Sequence, residues 1–229
     1  RVTLQKINDA LELGEGETAS EIYDRSKENA EPNLEMFIHV TKDGFGAIGH
    51  VDICYKGRII SFGNYDTNSE RLFGMMGDGV LFSADREKYI EFCKRENHKT
   101  LLGYGLALSP EQLAAVDKEI AKLMSLTVPW DPPKTVKPKR PGIDKEEPMY
   151  AYKLKQEADG RLYKFTSSKF KTYFVMSTNC VLLADTIVGA AGTDILSVRG
   201  FISPGTYQGY LDKEFERPHS LVVTKRVYQ

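Results

Sequence analysis

The chain carries three cysteines and four histidines, and among these Cys180 has a sequence setting suited to nucleophilic chemistry. It follows Ser177, Thr178 and Asn179 in "YFVMSTNCVLLADTIVGAAG" and opens the apolar run "CVLLADTIVG", which ends near Gly189 or Gly192. Asn179 is a good N-cap, so Cys180 falls at the first helical position, where unpaired backbone N–H groups and the positive end of the helix dipole converge. A thiolate is stabilised in such a place, the more so beside a protonated histidine. A small thiol at a helix start is also a common packing residue, and the position alone does not separate the two readings.

A nucleophilic cysteine needs a base. His98 lies in the charged "KRENHKT" and His219 follows Pro218 in a turn-like segment, so both read as solvated. His39 and His50 lie in strand-like runs, and His50 follows "FGAIG", glycines that allow close backbone approach. His50 is the candidate base. Cys54 shares its strand face by alternation, although packing explains a strand cysteine as well. The spread of Cys54, Cys93 and Cys180 gives neither a disulfide framework nor paired metal-ligand spacing. No cofactor or metal motif is present, and "GMMGDG" lacks the Gly-Lys-Ser/Thr of a phosphate loop.

The elements that must position these residues read as α+β, an antiparallel sheet packed with helices. "LQKINDALEL" and "ASEIYDRSKENA" have helical character, making residues 1–35 a helical lead-in to a single domain over 36–229. "MFIHV" and "GHVDICY" are strands, and Lys56-Gly57 turns the chain into "RIISFGNY". Ser109 and Gln112 form a capping box with Pro110 at the first position of a helix whose stripe is Leu113, Val116, Ile120 and Leu123. Residues 128–148, with six prolines among many charges, read as an irregular insertion. "MYAYKLKQEADGRLYKF" reads as aromatic strands around a turn at Asp159-Gly160, and "SLVVTKRVY" as a last strand.

Composition narrows the partners. With 31 basic and 32 acidic residues among 229 there is no net field to attract nucleic acid, and "KPKR" at 137–140 reads as a contact for an anionic polymer or membrane surface or, as charge runs in loops usually are, as a solvated loop. No apolar run approaches the ~20 residues of a transmembrane segment. The start at Arg1, without Met or signal-peptide pattern, reads as a processed or cut chain.

The pair "GHVDICYKGRIISFG" and, more than a hundred residues later, "STNC" resembles the circularly permuted branch of the NlpC-type papain-like hydrolases, in which the histidine strand precedes the cysteine helix. That branch includes the lecithin retinol acyltransferase-like proteins and bacterial families with an Asn-Cys motif. "LALSPEQLAAVDKEIAKL" and "SPGTYQGYLDK" also look like pieces of bacterial members, and the order of elements is similar over roughly 36–215. The resemblance implies Cys180 as nucleophile, His50 as general base and the Cys180 backbone N–H as oxyanion donor, helped by Asn179. It implies hydrolysis of an amide in a cell-wall peptide or isopeptide, or in the acyltransferase-like relatives acyl transfer on a lipid, at the cell envelope or outside the cell. A silent binding domain of the same fold is the rival.

Relatives place a polar residue opposite the histidine to orient it. With Lys56 and Gly57 as turn residues, Tyr55 pairs with Arg58 and Gly63 falls opposite His50, where no side chain can act. Ser61 is two residues back on the same face, while Asn64 and Asp66 reach the ring only through a bulge or loop. These three are the candidates, with a backbone carbonyl or water as the alternative.

Overall fold

The computed structural model describes residues 24–26, 31–40, 49–97, 100–139, 141–192 and 203–228. Its strands are β1 (Asp24–Ser26), β2 (Leu34–Val40), β3 (His50–Tyr55), β4 (Arg58–Gly63), β5 (Met76–Asp78), β6 (Val80–Asp85), β7 (Thr100–Leu106), β8 (Thr127–Trp130), β9 (Thr135–Val136), β10 (Glu147–Pro148), β11 (Arg161–Phe165), β12 (Thr172–Phe174) and β13 (Val222–Tyr228). Its helices are α1 (Arg86–Asn97), α2 (Pro110–Ser125), α3 (Tyr150–Glu157), α4 (Cys180–Gly189) and α5 (Pro204–Glu216). Nine strands form one sheet in the order β1-β13-β7-β2-β3-β4-β6-β11-β8, every pair antiparallel. The fold is therefore α+β around a large antiparallel sheet.

Alternation along the central strands sends side chains to two different cores. Leu34, Met36, Ile38 and Val40 of β2, with Val51, Ile53 and Tyr55 of β3, pack against α2, α4 and α5. Phe37 and Cys54 from the same strands pack on the other face with Tyr89, Ile90, Phe92 and Cys93 of α1 and Ala151 and Leu154 of α3. Being covered on both faces, β2 and β3 carry near-continuous burial, and the few polar groups among them need partners.

The β3–β4 hairpin forms as its turn chemistry dictates. Lys56 and Gly57 have φ of 50° and 74°, the positive values a two-residue hairpin turn demands, and Tyr55 pairs with Arg58. The Ser109–Gln112 capping box opens α2, with Val116 and Leu123 buried and Leu113 and Ile120 partly so.

Other segments depart from the sequence reading. "YAYKLKQE" is a helix, not a strand, because its apolar period is Ala151, Leu154 and then Ala158, all buried, while the tyrosines that mimic alternation are half-buried or exposed. Within the Pro-rich stretch Thr127–Trp130 joins the sheet as its edge strand beside β11, a place that tolerates Pro129. Within the helical lead-in, Asp24–Ser26 is a strand paired with β13, and the remainder before 31 lies outside the described residues. Among the described residues no helix is long and apolar enough to cross a membrane.

Candidate active site

Two elements bring the chemistry together. Asn179 caps α4, its Oδ1 accepting from Leu182 N at 3.1 Å, and Cys180 is the first helical residue, 5 % exposed. His50 is the first residue of β3 and pairs with His39 of β2. The helix packs on one face of β3 and the side chains in register with His50 point to the other. Thiol and imidazole thus approach one another at the strand end rather than across its middle. Cys180 neighbours His50 closely enough that its charge and a side-chain hydrogen-bond contact both act on the imidazole. Gly49, just before His50, packs against His39 and Pro204 so tightly that a Cβ would stand 3.1 Å from each.

The residue that holds His50 electrostatically is Asp52, two positions along the same strand and wholly buried. Its Oδ1 lies 2.6 Å from His50 Nε2. That contact is a charge contact off the line of a hydrogen bond, because the Nε2 hydrogen bond runs to Ser61 Oγ at 2.6 Å. Ser61 in turn is 2.7 Å from the Tyr65 hydroxyl. The other carboxylate oxygen, Oδ2, contacts His39 Nε2 at 2.5 Å and accepts from the Tyr89 hydroxyl at 2.8 Å.

Burial opposes both charges, and their mutual attraction outweighs it. Burial pulls the His50 imidazolium down, but the Asp52 carboxylate and Cys180 push it up to about 10. Burial likewise pushes the Asp52 carboxyl up, yet His50 and His39 hold it well below the usual carboxylate range. Cys54 behaves oppositely: burial drives its thiol up to about 12. Cys93 is fully buried in α1.

A cleft of about 430 Å³ opens onto this cluster. His50, Tyr65, Tyr150, Tyr173, Asn64 and Glu70 contribute to its walls. Cys180 is more deeply placed, beside Tyr173 and Tyr65, both of which feel its charge.

Of the residues proposed to orient His50, the structure brings Ser61 to the ring and not the others. Asn64 lines the cleft and donates weakly to Met76 O at 3.4 Å. Asp66 caps the short turn at 67–69 and binds Lys164 Nζ at 2.6 Å. Asn179 accepts the cap hydrogen bond through Oδ1 and donates one Nδ2 hydrogen to Val175 O at 3.1 Å, which leaves the second Nδ2 hydrogen as the only part of its amide that could help the oxyanion. His219 is exposed and His98 lies outside the described residues. Sequence reasoning missed Asp52, His39 and Tyr89. The available signal was an aspartate at i+2 from the histidine in an otherwise apolar strand, a charge that cannot be buried without a partner.

Among the described residues His39, His50 and Asp52 also form a group of possible metal ligands, one atom from each lying within 4.8 Å of the others. Asp52 Oδ2 and Oδ1 already contact His39 and His50 at 2.5 and 2.6 Å, and a cation would have to displace those contacts. Comparison with known protein families, curated proteins and solved structures finds no match for this chain.

Proposed function

We propose that the protein is a cysteine hydrolase of amide bonds, with Cys180 as nucleophile and His50 as general base, in a circularly permuted papain-like arrangement. The observation that carries this reading is the run of contacts from Cys180 to His50 to Asp52 and Ser61, with His50 lining the cleft and the others beneath it. It has the form of an activated nucleophile: thiol, base, and a third group that holds the base. The order of histidine strand before cysteine helix, with the helix packed on β3 and β4, accords with the permuted arrangement.

In this reading His50 Nε2 is engaged by Asp52 and Ser61, which leaves Nδ1 to serve the thiol. Below its raised value of about 10 His50 already carries the proton on Nδ1, paired with the Cys180 thiolate, and that thiolate attacks the carbonyl carbon. The oxyanion forms beside the Cys180 backbone N–H in the first turn of α4, where the helix dipole favours negative charge. The C–N bond breaks as His50 returns the proton to the leaving amine, and a thioester remains on Cys180. Water, deprotonated by His50, then attacks the thioester and releases the acid and the free thiol.

The rival reading, a silent binding domain, rested on an imidazole without an orienting partner, and Asp52 with Ser61 supplies one. The substrate proposed is a peptide or isopeptide of the cell envelope. Acyl transfer on a lipid ester uses the same residues and is separated from it by a substrate panel. A tripeptide-linked amide and a phospholipid ester are offered to the wild type and to Cys180→Ala, with the acyl adduct on Cys180 read by mass spectrometry. Turnover of the amide, lost in Cys180→Ala, supports the proposal. An adduct from the ester alone moves the activity to lipid chemistry, and no adduct from either, with an inert thiol, overturns the hydrolase reading.

A further inference from the structure

Beside the cleft the chain makes a small hairpin whose tip is unlike the rest of the surface. Arg71 and Met76 bridge in antiparallel fashion, Arg71 N to Met76 O at 2.9 Å and Met76 N to Arg71 O at 3.2 Å. Between them Leu72, Phe73 and Gly74 have φ of 50°, 58° and 85°. Successive bulky residues seldom occupy this left-handed region, and such strain persists where surrounding contacts enforce it. Here Val175 N donates to Met75 O at 3.0 Å and fixes the tip against the segment that leads to Cys180.

The forced conformation exposes apolar side chains. Leu72 is 58 % exposed, Met75 41 % and Phe73 fully so, and Met176 on the neighbouring segment is 46 % exposed. Among the described residues the other large exposed apolar or aromatic side chains are Val128 and Tyr150, and Tyr150 lines the cleft itself. Apolar exposure is therefore concentrated on the rim of the candidate site. A second hollow of about 560 Å³ runs along the tip, shares Glu70 and Gly74 with the cleft, and carries the cations Arg71 and Lys139. Lys139 is held there by donating to Asn68 O at 2.8 Å.

We propose that this tip docks on an anionic lipid surface and so presents the cleft to substrate held at or near a membrane. Phe73, fully exposed, stands at the tip between exposed Leu72 and Met75. Apolar side chains of that kind enter the boundary between headgroups and acyl chains, while Arg71 and Lys139 meet the phosphates. Glu70, the carboxylate in the same hollow, also belongs to the cleft wall. The inference concerns binding and holds whether or not Cys180 is active.

The test is flotation of the full chain with vesicles of phosphatidylcholine alone and mixed with phosphatidylglycerol. Variants are Phe73→Asn, Arg71→Gln with Lys139→Gln, and Cys180→Ala. Wild type and Cys180→Ala float with the mixed vesicles. Phe73→Asn loses binding about ten-fold or more, the value of removing one inserted aromatic side chain. The double charge variant loses binding to mixed vesicles only. Because Asn tolerates the left-handed region, Phe73→Asn keeps or raises the melting temperature, which separates lost docking from lost folding. Wild type that floats with neither vesicle, or Phe73→Asn that floats as well as wild type, overturns the proposal. So does a dimer in sedimentation that Phe73→Asn dissolves without any vesicle binding, since a second copy would then cover the tip.

Discussion

Replacing Asp52 by Asn retains the shape of the side chain and removes its charge, and the consequence falls on His50. The imidazole, pulled down by burial, is held at about 10 chiefly by the Asp52 carboxylate. A rise of this size from 6.5 corresponds to on the order of 5 kcal/mol of preference for the imidazolium. In Asp52→Asn burial is opposed by Cys180 alone, and His50 falls to its ordinary 6.5 or below. At pH 8 the charged fraction then falls from about 99 % to about 3 % or less. The assay is an NMR titration of the imidazole Cε1–H resonances, with that of His50 assigned by its absence in His50→Ala. Hydrolysis by the variant falls about 10²- to 10⁴-fold, as when the orienting carboxylate of a base is neutralised elsewhere. The reasoning is refuted if wild-type His50 itself titrates near 6.5, or if Asp52→Asn shifts it by less than about one unit.

Other outcomes follow from the same structure. The raised His50 value means its stabilising contribution is whole below about pH 6.5 and is lost as pH rises through about 10, whereas that of Asp52, depressed below 3.8, is present above that pH and is lost as pH falls below it. Urea midpoints of Cys180→Ala against pH should accordingly be highest between about 4 and 6.5, and a maximum above pH 8 would contradict the assignment. Ser61→Ala removes a hydrogen bond but no charge, so it should lower activity less than Asp52→Asn and leave His50 charged at pH 7; an equal loss would make Ser61 the principal holder of the ring. Asn179→Ala removes the α4 cap, costing about 1 kcal/mol and lowering the melting temperature by roughly 2–4 °C. Gly79→Ala should be far worse than Gly57→Ala, because a Cβ on Gly79 would lie 1.7 Å from the Phe170 carbonyl oxygen while Gly57 has nothing within 4 Å. About 3 kcal/mol is expected for the first and about 1 for the second, and similar thermal shifts would show that the segment yields.

The parts of this fold that sequence discloses are those decided locally. A capping box, a Lys-Gly turn and an Asn-capped helix are set by residues within a few positions of each other, and Ser109, Gly57 and Asn179 act as their types require. The register from that turn places Tyr55 against Arg58, and Ser61 then lies on the face His50 uses. Asp52 was hidden because an orienting partner was sought across the hairpin, while the structure finds it along the strand, where i and i+2 share a face. His39 and Tyr89 reach that carboxylate from β2 and α1, and no local pattern announces such a convergence. The misreading of α3 has a simpler origin, since Tyr150, Tyr152 and Leu154 alternate as in a strand while the buried residues keep a helical period. The unsatisfied need of a charge in "HVDICY" was the one unread sign of the site.

The central claim, that Cys180 is there to react and that His50 makes it so, is tested most directly by the pH dependence of alkylation at each cysteine. Modification is followed by mass spectrometry in the native protein and in His50→Ala. The account predicts that at pH 6 Cys180 is alkylated while Cys54 and Cys93 are not, and that this advantage vanishes in His50→Ala. A Cys180 that stays inert until the protein unfolds, or that reacts equally well without His50, would contradict it and leave "STNC" as a helix cap with a packed thiol.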